Sequence, residues 1–147
     1  GHSRLIELCE ADPAISATLL STDEAGVALL AGAWLGGQKG VLLMQSSGVG
    51  NCINMLSLTK TCAFPLLMLV TMRGEWGEFN PWQVPMGSST QQHLELAGCK
   101  VYRCDGPEDV ADMISTSARF CWYTSSAVAV LLGQRLIGAK VFVEDAR

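Results

Sequence analysis

A run of four apolar residues, 41–44, leads directly into a polar turn that contains two glycines. Continuous apolar runs of this kind are typical of strands buried on both faces of a parallel sheet. Ligands of open α/β sheets bind at the carboxyl ends of such strands, and glycine lets the backbone approach a ligand closely. We therefore take the polar residues and glycines of this turn as candidate ligand contacts: Gln45, Ser46, Ser47, Gly48, Gly50 and Asn51.

The rest of the chain alternates between short apolar runs and segments of helical character, as βαβ units do. This order predicts an α/β fold of three layers, a mostly parallel sheet with helices on both faces, in one domain over residues 1–147. The helix that contains Glu24 has almost no charge after that residue, which indicates burial on most sides. Strands are predicted at 15–20, 40–44, 66–70, 100–103 and 127–132, helices at 4–11, 21–35, 52–61, 90–96 and from Pro107, and a long loop at 72–89.

The first residues fit this order less simply. The chain begins inside a helical pattern, without the strand–helix unit that normally opens such a sheet, so we expect either that preceding residues are absent from this numbering or that the domain starts unusually. Gly1, His2 and Ser3 resemble the remnant of a purification tag, although they also fit ordinary sequence.

Composition argues against several classes of function. A net charge of −4 with 16% charged residues leaves no basic stripe for nucleic acid. No apolar run reaches the roughly 18–20 residues that span a membrane, and no stretch resembles a signal peptide. The six cysteines form no CxxC pair, so we expect reduced, buried thiols in a cytoplasmic protein. With only two histidines in the chain, we expect no metal site within it.

Two adjacent acids, Asp23 and Glu24, stand at the predicted junction of a strand and a helix. Carboxylates at a helix start are stabilised by unpaired N–H groups and the helix dipole, by roughly 0.3–1 kcal/mol. Alternatively, one of them acts as an acid or base in an apolar pocket. Both interpretations remain open, because neighbouring residues of a helix differ by ~100° in direction.

The turn after residue 44 and the loop after residue 71 each allow a structural and a functional interpretation. The turn is either a phosphate cradle or an ordinary tight turn, and it lacks both the P-loop ending and the GxGxxG pattern. The loop interleaves aromatic residues with Arg73, Glu75 and Glu78. It either packs on itself or covers a site or docks a partner.

Together these segments resemble the pyrimidine-binding (PYR) domain of thiamine diphosphate-dependent 2-oxoacid decarboxylases, in particular the sulfopyruvate decarboxylase alpha subunit and phosphonopyruvate decarboxylase. The resemblance covers nearly the whole chain, and its most specific elements are Gln-x-Ser-Gly-x-Gly-Asn and Gln-Val-Pro-Met-Gly. The matching segments are residues 31–37, 44–51, 65–70, 73–75, 77–79, 83–87 and 129–132.

The resemblance implies a cofactor, thiamine diphosphate, and a role for each candidate residue. In that family the PYR domain supplies a glutamate that hydrogen-bonds the aminopyrimidine ring and starts the proton transfers that activate the cofactor. Counted without gaps from Gly32, the position of this glutamate falls on Asp23. Asp23 thus stands at the matching position, whereas Glu24 has a side chain of the matching length. We prefer Glu24. The turn would face the cofactor, and Arg73 and Gln83 would lie near the substrate, with Arg73 as the anion contact.

The resemblance also implies a partner. In the family, a Gly-Asp-Gly motif followed by an asparagine holds Mg²⁺ and the diphosphate, whereas this chain has Cys104-Asp105-Gly106 and no asparagine after Asn80. The resemblance therefore predicts that this chain is the alpha subunit of a hetero-oligomer and that the beta subunit holds Mg²⁺ and the diphosphate. It also predicts that this complex decarboxylates an anionic 2-oxoacid such as sulfopyruvate or phosphonopyruvate. The alternatives are a subunit of an acetolactate-synthase-like carboligase and a non-catalytic regulatory or binding subunit.

Overall fold

The computed structural model describes residues 1–138 of the chain. Its strands are β1 (Val41–Gln45), β2 (Leu66–Thr71), β3 (Lys100–Cys104) and β4 (Ala127–Leu132), and its helices are α1 (Ser3–Ala11), α2 (Asp23–Leu35), α3 (Ser46–Thr61), α4 (Val84–Leu96), α5 (Val110–Thr124) and α6 (Gln134–Ile137). The strands form one sheet in the order β1-β2-β4-β3, and every neighbouring pair is parallel.

Helices cover both faces of this sheet. One face of the two central strands, which includes Met68 and Ala129, packs against α2, α3 and α4. The opposite face, which includes Leu67 and Val128, packs against α5. Because β2 and β4 are buried on both sides, every position in them is apolar or, at Thr71, small and buried. The predicted α/β fold with a parallel sheet between helices is confirmed.

Strand β1 is less buried than its apolar sequence predicts. Leu42 and Met44 are buried, but Val41 is 40% exposed. Strand β1 pairs with β2 alone among the described strands, so it forms an edge of the sheet and its outer side lacks a neighbour.

The strand predicted at 15–20 is wrong. These residues have no regular structure, and Leu19 is fully exposed. A strand needs a neighbour to satisfy its backbone N–H and C=O groups. In the described part of the chain, no strand pairs with this segment.

Two helices begin earlier than predicted. Helix α3 starts at Ser46 directly after β1, so the expected turn at 45–51 is its first turn and a half. Helix α4 starts at Val84 after a single 3₁₀ turn, so the loop expected at 72–89 ends near residue 80. In both cases glycine or proline in the sequence suggested a loop. Pro85 is tolerated because the N–H groups of a first turn have no partner within the helix.

Two predictions of burial are also wrong. Helix α2 buries only Gly26 and Val27, and Leu35 near its end is 88% exposed. Leu29 on the same helix is also exposed. Cys62 is exposed and Cys9 is half-buried, whereas Cys52, Cys99, Cys104 and Cys121 are buried; all six are thiols.

The first residues pack on the sheet. The His2 Nε2 atom lies 3.1 Å from the carbonyl oxygens of both Met44 and Leu69, and burial lowers the pKa of this half-buried imidazole. None of the helices within residues 1–138 combines the length and the apolar character required to cross a bilayer.

Candidate functional site

The two adjacent acids form the first turn of α2. The preceding Thr22 has an extended backbone and makes no side-chain capping hydrogen bond to any residue from 1 to 138. Both carboxylates thus lie where the helix dipole favours negative charge. The general stabilisation of a helix start applies to Asp23 and Glu24 alike, so their contacts must distinguish them.

Asp23 is held against the start of α3. Its Oδ2 atom accepts a hydrogen bond of 3.2 Å from Asn51 Nδ2. Its carboxylate also lies directly over Gly48, where a Cβ atom would overlap it. Residues 48 and 51 are three apart and therefore share one face of α3. The glycine at 48 thus provides the space in which Asp23 sits.

Glu24 has a different environment. Its Oε2 atom is buried and has no hydrogen-bond partner within the described residues. Native proteins satisfy almost all buried polar atoms, and an unsatisfied one requires an explanation. A carboxyl oxygen that shares a hydrogen-bonding proton with a ligand is one such explanation.

A buried thiol lies beside both acids. Burial and then the negative charges of Asp23 and Glu24 raise the pKa of Cys52 to about 12. Cys52 therefore stays a neutral thiol at physiological pH and contributes an apolar wall. The sequence analysis did not connect it with the acids, because only the packing of α2 on α3 brings them together.

Ser46, the first residue of α3, joins the ends of β1 and β2. Its buried hydroxyl accepts a hydrogen bond of 3.1 Å from Arg73 N and lies 3.4 Å from Arg73 O, to which it donates. Gln45 and Asn51 are exposed and Ser47 is half-buried. Ser46 and Asn51 thus form contacts within the protein, to Arg73 and Asp23, whereas Gln45 and Ser47 remain as candidate ligand contacts.

Glycines bring the start of α4 against the segment that follows β2. A Cβ atom on Gly87 would overlap the backbone of Arg73, and one on Gly74 would overlap the backbone of Gln83. Gly74 also has a φ of +76°, which side chains rarely adopt. A Cβ atom on Gly50 would come within 3.1 Å of Met86 Sδ. The Gln-Val-Pro-Met-Gly element therefore packs beside α3 and Arg73.

Arg73 forms a bidentate ion pair with Glu78. The Nε–Oε2 and Nη2–Oε1 distances are 2.7 and 2.6 Å, and the two side chains are 13% and 3% exposed. The backbone N–H groups of Gly74 and Asn80 each donate to the same carboxylate at 3.0 Å. These donors, above all the guanidinium, hold the pKa of Glu78 well below its usual value.

Gln134 completes this network from a distant part of the chain. Its side chain donates to Glu78 at 3.1 Å and accepts from the backbone N–H groups of Glu75 and Trp76 at 2.9 and 3.0 Å. Arg103 forms bidentate pairs with both Glu75 and Asp105. The sequence analysis missed Gln134, which is 56 residues from Glu78 and has no local signal.

Two more buried acceptors lie after this network. Asn80 Oδ1 and Gln83 Oε1 are buried without a hydrogen-bond partner among residues 1–138. The N–H of Gln83 donates to the carbonyl of Asn80 at 3.0 Å, so the two residues are the ends of one short turn. Gln83 was a predicted substrate contact and Asn80 was not.

The structure arranges the predicted residues in two clusters around the start of α3. Asp23, Glu24, Gly48 and Asn51 lie between α2 and α3, and Arg73, Gln83 and Gly50 lie toward α4. Ser46 connects the second cluster to α3 through Arg73. These residues thus lie around the start of α3, at the carboxyl end of β1, which is the end of a parallel strand where α/β folds bind ligands.

The parallel sheet between helices defines an α/β domain, and the unpaired buried oxygen of Glu24 beside a polar helix start marks a candidate ligand site. No protein-family model matches the chain. The chain is 37% identical over 129 residues to the sulfopyruvate decarboxylase subunit alpha of Methanothermobacter thermautotrophicus. The matched region makes up 87% of this chain and 78% of that protein. It is 34% identical over 128 residues to the same subunit of Methanocaldococcus jannaschii, or 86% and 76% of the two chains.

A longer relative is also similar. The phosphonopyruvate decarboxylase of Streptomyces viridochromogenes is 37% identical over 94 residues, which is 63% of this chain but only 24% of that protein. The chain belongs to the family of the sulfopyruvate decarboxylase alpha subunit, which confirms the resemblance found in its motifs.

Proposed function

We propose that this chain is the alpha subunit of a decarboxylase that uses thiamine diphosphate and acts on an anionic 2-oxoacid, such as sulfopyruvate or phosphonopyruvate. The names of the relatives support the substrate class and the dependence on a second subunit. The phosphonopyruvate enzyme matches this chain over only a quarter of its length. We expect the rest of such a longer enzyme to contain the equivalent of a beta subunit. We expect this chain and its own beta subunit to work in the cytoplasm.

The unpaired Oε2 atom of Glu24 carries this proposal. A buried carboxylate oxygen fits a ring nitrogen that donates or receives a proton, as the aminopyrimidine of the cofactor does. Glu24 would hold a proton at that position, while Asp23, bonded to Asn51, would fix the start of the helix. When bound, the cofactor would supply the carbon that attacks the keto group and would accept the electrons that remain when CO₂ leaves.

The side chains of Gln45, Ser47 and Asn51 at the start of α3 would line the cofactor, while Gly48 and Gly50 would shape this wall by giving room to Asp23 and Met86. We assign Mg²⁺ and the diphosphate to the beta subunit. In this chain, the Asp105 carboxylate of the Cys-Asp-Gly sequence is bonded to Arg103 at 2.8 to 3.1 Å. Arg73 and Gln83 would contact the substrate.

The test compares isosteric variants of the two acids in the chain reconstituted with its beta subunit. We expect Glu24→Gln to reduce kcat by about 100-fold or more, because it removes the proton-carrying group. Asp23→Asn should reduce kcat by less than about tenfold, since it changes only a supporting contact. Glu95→Gln, which alters an exposed acid on α4, serves as the control and should leave kcat unchanged.

The outcome also separates the alternatives. A large loss from Asp23→Asn with a small one from Glu24→Gln would reverse the assignment. Unchanged turnover in both variants would reject it and leave a binding or regulatory subunit. Thermal unfolding of each variant checks that lost activity is not lost structure.

A further inference from the structure

The ion pair between Arg73 and Glu78 is fixed by more contacts than an ion pair requires. Glu78 accepts five hydrogen bonds, from Arg73, from two backbone N–H groups and from Gln134. Its side chain is 3% exposed. A carboxylate with this many donors and so little solvent remains ionised and in place.

The pairing changes what Arg73 offers to an anion. Glu78 binds the edge of the guanidinium formed by Nε and Nη2. A planar guanidinium has five N–H donors in all, so the Nη1 end retains directional donors. The pair as a whole has no net charge, however. It can therefore orient an anion by hydrogen bonds, but it adds little long-range attraction for a second negative charge.

The backbone places this neutral pair at the candidate site. The N–H and carbonyl of Arg73 are both bonded to the Ser46 hydroxyl at the first turn of α3. Gly87 and the backbone of Arg73 are in direct contact, which fixes Arg73 against α4 from the other side. The position of the guanidinium is therefore set by the fold and by Glu78 together.

We propose that Glu78 is a positioning residue that determines specificity: by neutralising Arg73, it favours a substrate with a singly charged sulfonate over one with a phosphonate. This inference rests on the proposed function, in which Arg73 contacts the substrate anion. A sulfonate carries one negative charge near neutral pH, whereas a phosphonate, like a phosphate ester, carries about 1.5 to 2. The additional charge of the phosphonate gains little attraction from this neutral pair and is repelled by the Glu78 carboxylate.

The test is the ratio of kcat/KM for sulfopyruvate to kcat/KM for phosphonopyruvate, measured in the complex of this chain with its beta subunit. Glu78→Gln should shift this ratio about tenfold or more toward phosphonopyruvate, because one unit charge within about 12 Å has at least that effect at an effective dielectric of about 20. Because both substrates are measured on one preparation, partial unfolding lowers both values and leaves the ratio unchanged.

Two further variants distinguish charge from structure. Glu78→Asp keeps the charge and shortens the side chain, so it should retain the wild-type ratio within about threefold even if both rates fall. Glu75→Gln removes a carboxylate of the same loop that pairs with Arg103 instead, and it should also leave the ratio unchanged.

Three results would overturn the inference. If Glu78→Gln keeps the wild-type ratio, the inference is wrong and the proposed function stands. If Glu75→Gln shifts the ratio as much as Glu78→Gln does, the effect is a general property of the loop. If the wild-type complex decarboxylates neither acid, the proposed function and the inference both fail.

Discussion

Two glutamates near the start of α3 have opposite surroundings. Glu78 accepts five hydrogen bonds and pairs with Arg73, whereas Glu24 has a buried oxygen without a partner in the described structure. A buried polar group that is fully bonded stabilises the fold, while one that is not bonded costs free energy that a ligand can recover. This difference supports the proposal that Glu78 belongs to the framework and Glu24 to the chemistry.

The largest difference in stability should appear when each of the two glutamates is replaced by alanine. Glu78→Ala leaves the largely buried Arg73 unpaired, and we expect it to lower the free energy of unfolding by about 3–5 kcal/mol. Glu24→Ala removes an unsatisfied group, so we expect a change within about 1 kcal/mol. Urea unfolding of both variants checks this difference. Equal losses would contradict the distinction between framework and chemistry.

A smaller effect concerns pH. The hydrogen bonds from Arg73, first among several donors, lower the folded-state pKa of Glu78 below its unfolded value, which is about 4.3. Its contribution to stability is therefore complete above pH ~4.3 and is lost as the pH falls toward the folded pKa. The difference in unfolding free energy between wild type and Glu78→Gln should be constant from about pH 7 to 5 and should decrease at lower pH. If this difference in unfolding free energy grew on acidification, the pKa of Glu78 would be raised in the folded state and not lowered.

The smallest effect tests the contact between Asp23 and α3. In a helix, alanine is more favourable than glycine by about 0.5–1 kcal/mol. Gly32→Ala, on the open side of α2, should show this gain, because a Cβ atom there meets nothing within 4 Å. Gly48→Ala should not, because its methyl group displaces the Asp23 carboxylate and breaks the bond to Asn51. Thermal unfolding compares the two, and equal gains would mean that Asp23 does not press on α3.

Local sequence predicts the parts of this fold that depend on local physics. The continuous apolar runs of β2 and β4 identified the centre of a parallel sheet, and the two acids in the first turn of α2 marked the start of a helix. The segment at 15–20 failed because a strand is defined by its neighbour, which composition does not reveal. The glycines of α3 failed as loop signals because they provide space for Asp23 and Met86.

The candidate site shows the same division. Motifs in the sequence identify the candidate residues. Which of the two acids bonds to Asn51, and which is left with an unpaired oxygen, depends on how α2 packs on α3. The bond between Gln134 and Glu78 joins residues 56 positions apart, and its partners are specified by tertiary packing alone. Such long-range polar contacts leave no periodic pattern in a single sequence.

The two hydrogen bonds between Ser46 and Arg73 have a consequence for the size of the substrate. They fix the backbone of Arg73 to α3, against which Asp23 and the start of α2 also rest. On the proposed function, the backbone that carries the anion contact then keeps a fixed place relative to the helix start that would hold the cofactor. We therefore expect an acid longer by one methylene to fit this fixed spacing less well and to be decarboxylated more slowly than sulfopyruvate.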